Sequence, residues 1–503
     1  MTAQSHTTVL PSGRDSAAPS LASRRGVAIL LLLSLVQFMD ILDASILNIA
    51  LPSIKRDLGF SQQSLQWVVD GYILTYGGFL LLGARMADLL GRRLVLVAGL
   101  VVFAGASLAG GLAHSSSLLV GARFAQGMGA AMLSPAALST LTTTFRSARE
   151  RNTALGVWGA VSGLGGAAGV LFGGILTETA GWRWVLFVNV PLSVIALVGA
   201  FALLKRDRIR ARLANFDALG AMLVTGGMLL LVYALVKAPD VGWGATRTIA
   251  ELAGAVAILA AFVVNELRVA NPLIPLSILR IKGVAVTDAT QLVAVGGFVP
   301  MFFLLTLYMQ TVLHYSPIQT GVAYLPLTGG FIISSGIVSQ LLARVGTKPI
   351  IVAGAVIVAG GLYWLSRIPV DGSYVTDILP GLLVVSLGGG GVFVGVTTAA
   401  NAGVGEERAG LAAGLLNTGQ QVGTALGLAI LSALATAHTH ALLRTGQDTL
   451  AQAATHGYGR ALLAGAGIVL AGAAVAMLAP NTRQTVPVPE EAPEDEPALD
   501  LAA

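Results

Sequence analysis

Long apolar runs constrain the fold of this chain more than any single motif does. About fourteen segments of roughly twenty residues are long enough to cross a bilayer. They fall near 27–50, 62–83, 94–112, 117–140, 153–176, 184–204, 217–237, 249–267, 284–309, 318–342, 349–366, 375–398, 409–434 and 459–479. Lipid admits only helices or closed barrels, and these runs are too long and continuous for barrel strands. An all-α integral membrane protein is therefore expected. Composition agrees, with 55% of the 503 residues hydrophobic, 11% charged and a mean hydropathy of +0.79. The 62 glycines suit helices that must approach closely where no hydrophobic force drives them together.

Several function classes drop out. Without cysteine there are no disulfides, thiolate metal sites or thiol catalysis. The chain has no G-x-x-x-x-G-K-[ST] loop to cradle a nucleotide and no H-E-x-x-H zinc motif, since none of its six histidines is followed by Glu. An enzyme, a metal or an organic cofactor is not expected, and energy must come from a gradient. The net charge of +5 does not imply nucleic acid, because the basic residues are scattered over short loops.

Those residues report topology instead. The N-tail, the even-numbered loops and the C-tail hold about 21 Lys and Arg, against about 8 in the odd-numbered loops, which predicts that both termini are cytoplasmic. The domain plan is a disordered tail (1–26), a six-helix bundle (27–204), a cytoplasmic linker (205–216), two extra helices (217–267), a second six-helix bundle (268–479) and a tail (480–503). The linker holds the densest basic cluster, "KRDRIRARL", Lys205 to Leu213, read as a topology anchor. The last segment, "PVPEEAPEDEPALDLAA", is acidic and Pro-rich, as a solvated end would be. No small-residue cleavage site follows the first span, so it is read as retained.

Acids inside these runs are the candidate chemistry. Asp40 and Asp43 in "QFMDILDASILNIALP" lie near the middle of the first span, one turn apart on one helix face. Two carboxylates so close in a low dielectric are not both comfortably ionised, and at least one is expected to hold a proton near neutrality. That is the property of a proton-coupling site, and intramembrane acids usually face a cavity or a partner. Arg123 in the fourth span is the candidate partner. A structural pairing with Arg123 and a proton relay are compatible readings. Asp70 in "WVVDGYILTY", with Tyr72 and Tyr76, is read either as a contact for a cationic substrate group or as an external gate. Asp288 in "VTDATQLVAV" is either interfacial or substrate-facing. Asn417, Gln420 and Gln421 share a polar face of the thirteenth span, where they line a cavity or bond helix to helix.

Local motifs then carry a resemblance. "GARMADLLGRR", Gly83 to Arg93, resembles the cytoplasmic signature loop of the major facilitator superfamily, with Asp88, Gly91, Arg92 and Arg93 in register and Ala84 where Gly is usual. In that loop Gly91 allows a tight turn and the arginines stay in water. "LDASILNIALP" (Leu42 to Pro52), "LVGARFAQGMGAA" (Leu119 to Ala131, built on Arg123, Gln126 and Gly127), "WRWVLFVNVPL" (Trp182 to Leu192), "ELRVANPLIPLSILR" (Glu266 to Arg280) and "YMQTVLHYSPIQTGVAYLP" (Tyr308 to Pro326) are similar, in that order, to segments of the fourteen-span drug:proton antiporters. Ser45 stands where that family usually has Thr. "GVWGAVSGLGGAAGVLFGG", Gly156 to Gly174, resembles its Gly-rich antiporter signature, with Gly163, Gly166, Gly169, Gly173 and Gly174 present and Val170 where Pro is usual. Small-residue packing accounts for these glycines as well.

The resemblance implies a major facilitator fold, two six-helix bundles with two extra central helices, around a midplane cavity. It implies exchange of inward protons for an outward amphipathic drug or antibiotic; Asp43 lies in its first-span signature, and Asp40, outside that signature, joins Asp43 and Arg123 as a proton-coupling candidate through the acid pair itself. The Asp88 loop and the fifth-span glycines would serve gating, and Gln126 would join the substrate cavity. The partners expected are a small drug, protons and the bilayer, with no nucleic acid, in a monomer. Scarce Lys beside abundant Arg, Ala and Gly points to a high-GC bacterium and hence an inner-membrane location. Transport of a dedicated metabolite such as a siderophore or amino acid is the alternative, and a non-transporting membrane sensor a weaker one.

Overall fold

The computed structural model describes residues 20–145, 147–205, 217–270, 272–273, 276–281, 283–402, 409–446 and 449–482. The tail before residue 20, nearly all of the basic linker and the acidic end from residue 483 lie outside the described residues. So do the side chain of Asp88 and the surroundings of Gly163.

Among the described residues there are helices and no strands. Spans 1 to 6 are built on Arg24–Leu58, Trp67–Leu90, Arg92–Gly111, Ser116–Thr144, Ala148–Thr179 and Asn189–Leu203. Spans 7 and 8 are Ala218–Val241 and Thr246–Arg268. Span 9 is Val284–Phe298 continued by Pro300–Leu307, and span 10 is Pro317–Ala323 continued by Leu325–Val345. Spans 11 to 14 are Thr347–Leu365, Leu379–Asn401, Ala409–Thr445 and Leu450–Ala476. Twelve of these are apolar enough to cross a membrane by length and composition alone. The other two are spans 2 and 4, of 24 and 29 residues, and they carry Asp70, Arg123 and Gln126.

Helix ends follow the sequence. Ser23, Ser115, Ser147 and Asp217 cap their helices through side-chain oxygens, and Ser316–Gln319 and Thr449–Gln452 form reciprocal capping boxes. Spans 2 and 3 are joined by Gly91 alone at φ 99°, and spans 10 and 11 by Gly346 alone at φ 85°. Only glycine adopts such angles without strain. In span 9, Pro300 interrupts the helix, which then closes with a π turn, Tyr308–Val312.

Spans 1–6 pack as one bundle and spans 9–14 as another, while spans 7 and 8 pair with each other and lean on spans 2 and 13. The bundles meet along two seams, span 2 on span 13 and span 5 on span 10. Both seams use glycine. A methyl added at Gly77 would meet Gln421 Cβ at 2.8 Å, one at Gly174 the Pro317 carbonyl oxygen at 2.6 Å, and one at Gly321 the Val170 oxygen at 2.5 Å.

The closure is one-sided. At the end away from the chain termini, one apolar cluster takes residues from both bundles, including Ile46, Ile49 and Ile54 with Met301, Leu304 and Tyr324. There Gln310 donates to the Ile49 carbonyl at 2.9 Å, and the Ile318 N–H donates to Glu178 at 3.0 Å. Asp57 accepts from Trp182 at 2.9 Å and Arg183 at 2.7 Å, fastening span 1 to the start of span 6. Toward the termini, the large cluster of Leu33, Val36, Leu96, Leu141 and Phe145 belongs to spans 1–6 alone. Among the described residues the bundles are sealed at one end and separately packed at the other.

Candidate functional site

Asp43 lies completely buried and accepts from three side chains on two other helices. Arg123 Nη1 donates to Oδ2 at 2.7 Å, while Gln126 Nε2 and Asn189 Nδ2 each donate to Oδ1 at 2.7 Å. The Arg123 Nη1 also donates to Gln126 Oε1 at 2.6 Å, its Nε donates to the Val68 carbonyl at 2.9 Å, and Gln126 Nε2 donates to Ser107 at 2.7 Å. One ion pair thus draws in side chains from spans 1, 3, 4 and 6 and a backbone oxygen from span 2. An ion pair removed from water holds only when its remaining donors and acceptors are filled in this way.

Asp40, one turn earlier, faces a different set. Tyr72 and Tyr76 donate to its two oxygens at 2.7 and 2.8 Å. The Tyr76 hydroxyl is also within hydrogen-bonding reach of Ser134 and of Asn417 from the second bundle. Tyr72 connects the two acids, since its hydroxyl serves Asp40 while its ring face carries the Arg123 guanidinium at 4.3 Å. The expected association of Tyr72 and Tyr76 with Asp70 is corrected here. On a helix, residue i+2 lies about 200° around from residue i, so Asp70 and Tyr72 point apart.

Asp70 is fully buried, and neither carboxylate oxygen has a hydrogen-bond partner among the described residues. Gln66, one turn before it, is in the same position. Asp70 shares a helix face with Gly77, seven residues on, which packs on Gln421 of span 13. Asp288 also has both oxygens without a hydrogen-bond partner among the described residues. One turn on, Gln291 donates to Gln420 at 3.3 Å beside a small apolar cavity of about 60 Å³ lined with Phe298, Phe331 and Phe393. Asn417, Gln420 and Gln421 therefore reach Tyr76, Gln291 and Gly77 respectively, which makes them helix-to-helix contacts.

The gating residues divide similarly. Arg92 donates to Thr143 at the end of span 4 at 2.7 Å, and Arg93 to the Phe201 carbonyl in span 6 at 3.0 Å. Both are half-buried, where the sequence placed them in water. Gly169 and Gly173 face span 1 beside Asp43, where added methyls would meet Ser45 Cβ at 2.5 Å and the Ile46 carbonyl oxygen at 2.6 Å. Gly174 faces span 10. With Val170 in place of Pro, span 5 runs as one unbroken helix. Ser107 and Asn189 are the site residues that the sequence did not single out.

A pair of helix bundles sealed at one end over a buried, hydrogen-bonded ion pair defines a membrane transporter of the alternating-access class. The family model described as Major Facilitator Superfamily matches residues 33–428, and the chain belongs to that superfamily. It is 40% identical over 457 residues to the puromycin resistance protein pur8 of Streptomyces alboniger, covering 89% of this chain and 90% of that one. It is also 40% identical over 460 residues to the cephamycin export protein CmcT of Amycolatopsis lactamdurans, covering 90% and 91%. Its fold matches the inward-open xylose transporter XylE from E. coli with TM-score 0.60 at 13% identity, covering 91% of this chain and 97% of that one.

Proposed function

We propose that the protein exports an amphipathic drug or antibiotic across the bacterial inner membrane in exchange for protons. The observation that carries this reading is the Asp43–Arg123 pair, joined through Tyr72 to a second acid, in a chain related along most of its length to resistance and export proteins. Protonation of an acid in this group weakens its hold on neighbouring donors, and the bundles are free to reseal at the other end. The termini face the cytoplasm in this reading, so the described arrangement is the inward-facing one. No cofactor takes part, and a monomer suffices. One charge moved through 100 mV supplies about 2.3 kcal/mol, which supports roughly a forty-fold gradient per proton. Asp288, Gln291 and the three phenylalanines are where a lipophilic substrate meets the second bundle, and Asp70 is a second acid for a cationic group.

The test is a resistance screen in a sensitive bacterial host with a panel of amphipathic antibiotics, puromycin among them, with and without a proton uncoupler. Resistance that disappears with the uncoupler is expected. Resistance that survives uncoupling refutes proton exchange, and inward accumulation of a metabolite by vesicles, with no resistance, refutes export.

A further inference from the structure

The end away from the termini carries a feature that plays no part in the acid network. Between the end of span 11, the end of span 13 and the start of span 14 lies an open cavity of about 380 Å³, whose polar lining includes Ser366, Arg367, His438, Thr455, His456 and Arg460. No acid lines it. Asp371 and Asp377 on the neighbouring connection lie beside Tyr308, and Asp377 already accepts from the Ser373 N–H at 2.7 Å and from Thr376 at 3.0 Å. Among the described residues neither Arg367 nor Arg460 has a carboxylate partner. Arg367 is instead held in place, stacked at 4.5 Å on the Tyr363 ring and donating to its hydroxyl.

The cavity floor is fixed. A methyl at Gly459 would meet the Ser366 carbonyl oxygen at 2.5 Å, so the 366–369 turn packs directly on span 14, and the Pro369 carbonyl accepts from Tyr308 at 2.5 Å. Depth is marked by neighbours. Tyr363 and Trp364 are 46% and 50% exposed, as aromatic residues at a membrane–water boundary are, and Leu463 on the cavity wall is 43% exposed. The cavity therefore opens to water and to lipid at headgroup level.

We propose that this cavity binds a phosphate-bearing anion, through Arg367 and Arg460 with donation from His438 and His456. A lipid phosphodiester and free phosphate share the chemistry that four cationic or donor side chains without an acid would select. The site is independent of the export reading. The test uses the purified full chain in neutral detergent and follows thermal unfolding during titration with dihexanoyl-phosphatidylglycerol, dihexanoyl-phosphatidylcholine or inorganic phosphate. Saturable stabilisation by phosphatidylglycerol, weakened about tenfold or more in Arg367→Gln/Arg460→Gln, is expected. Stabilisation by inorganic phosphate, weakened in the same way, supports the site with a free anion as ligand. The single variant Arg460→Gln removes an exposed side chain that makes no bond among the described residues, so it folds and carries the same comparison. Equal behaviour of wild type and variants in every arm, absence of stabilisation in all three, or equal stabilisation by the zwitterionic lipid overturns the proposal.

Discussion

The guanidinium carbon of Arg123 sits 4.3 Å from the centre of the Tyr72 ring. Through that ring the ion pair at Asp43 meets the tyrosine hydroxyl bound to Asp40, so a change at either acid is felt by the other without the carboxylates sharing a donor.

Asp43→Asn keeps the shape of the side chain and removes both its charge and its titration. Drug efflux against a gradient, measured per inserted molecule in proteoliposomes, should fall to background. Asp40→Asn should be milder, because the amide oxygen still accepts from a tyrosine. Normal uphill export by the Asp43 variant would remove this residue from the coupling step.

Arg123→Ala leaves Asp43 buried without its cation, and breaking one side of a buried pair costs about 3–5 kcal/mol. The variant should unfold at lower temperature and transport nothing. Arg123→Lys should recover part of both, since an ammonium carries the charge without the planar fork that reaches Asp43, Gln126 and Val68 together. Equal thermal stability of wild type and the Ala variant would contradict the energetic role of the pair.

Tyr72→Phe separates the two contacts of this residue. The ring remains under Arg123, while Asp40 loses one of its two donors, a change of about 1–3 kcal/mol for a buried polar group. Efflux should drop with stability lowered only modestly, and Tyr72→Leu, which loses the ring as well, should be worse in both assays. If Phe and Leu behave alike, the ring contact contributes nothing.

Gly174→Val places a branched side chain against the Pro317 carbonyl at the sealed end. The seal should open, and the chain's lack of native cysteine allows a clean readout. Val312→Cys, a reporter buried in the cluster shared by both bundles, should react with a maleimide several-fold faster in the Gly174→Val background. An unchanged labelling rate would show that this contact does not set the equilibrium.

The span count and the Asp40–Asp43–Arg123 group were legible in the sequence because long apolar runs and charges inside them are rare. Neutral partners were not. Ser107 and Asn189 are ordinary residues in apolar helices until the fold brings span 3 and span 6 within 2.7 Å of the network. Tyr72 was grouped with Asp70 by closeness along the chain, although helical rotation separates them and instead aligns Tyr72 with Tyr76. The Gly346 turn repeats the Gly91 turn in the second bundle, yet the residues around it, "LLARVGTKP", carry too little of the first loop's pattern to announce it.

Span 4 carries Arg123 and Gln126 within its apolar run, and this bears on how the chain enters a membrane. An arginine within a lone helix costs up to about 2.5–3.5 kcal/mol to insert, most at the centre and less toward the ends. Span 4 therefore depends on what is already in the bilayer when it leaves the ribosome. Asp43 is there first, made eighty residues ahead of the arginine it will hold. An acid already in place offers span 4 a partner as it inserts, so the yield of inserted protein has to be measured separately from the rate at which each molecule works.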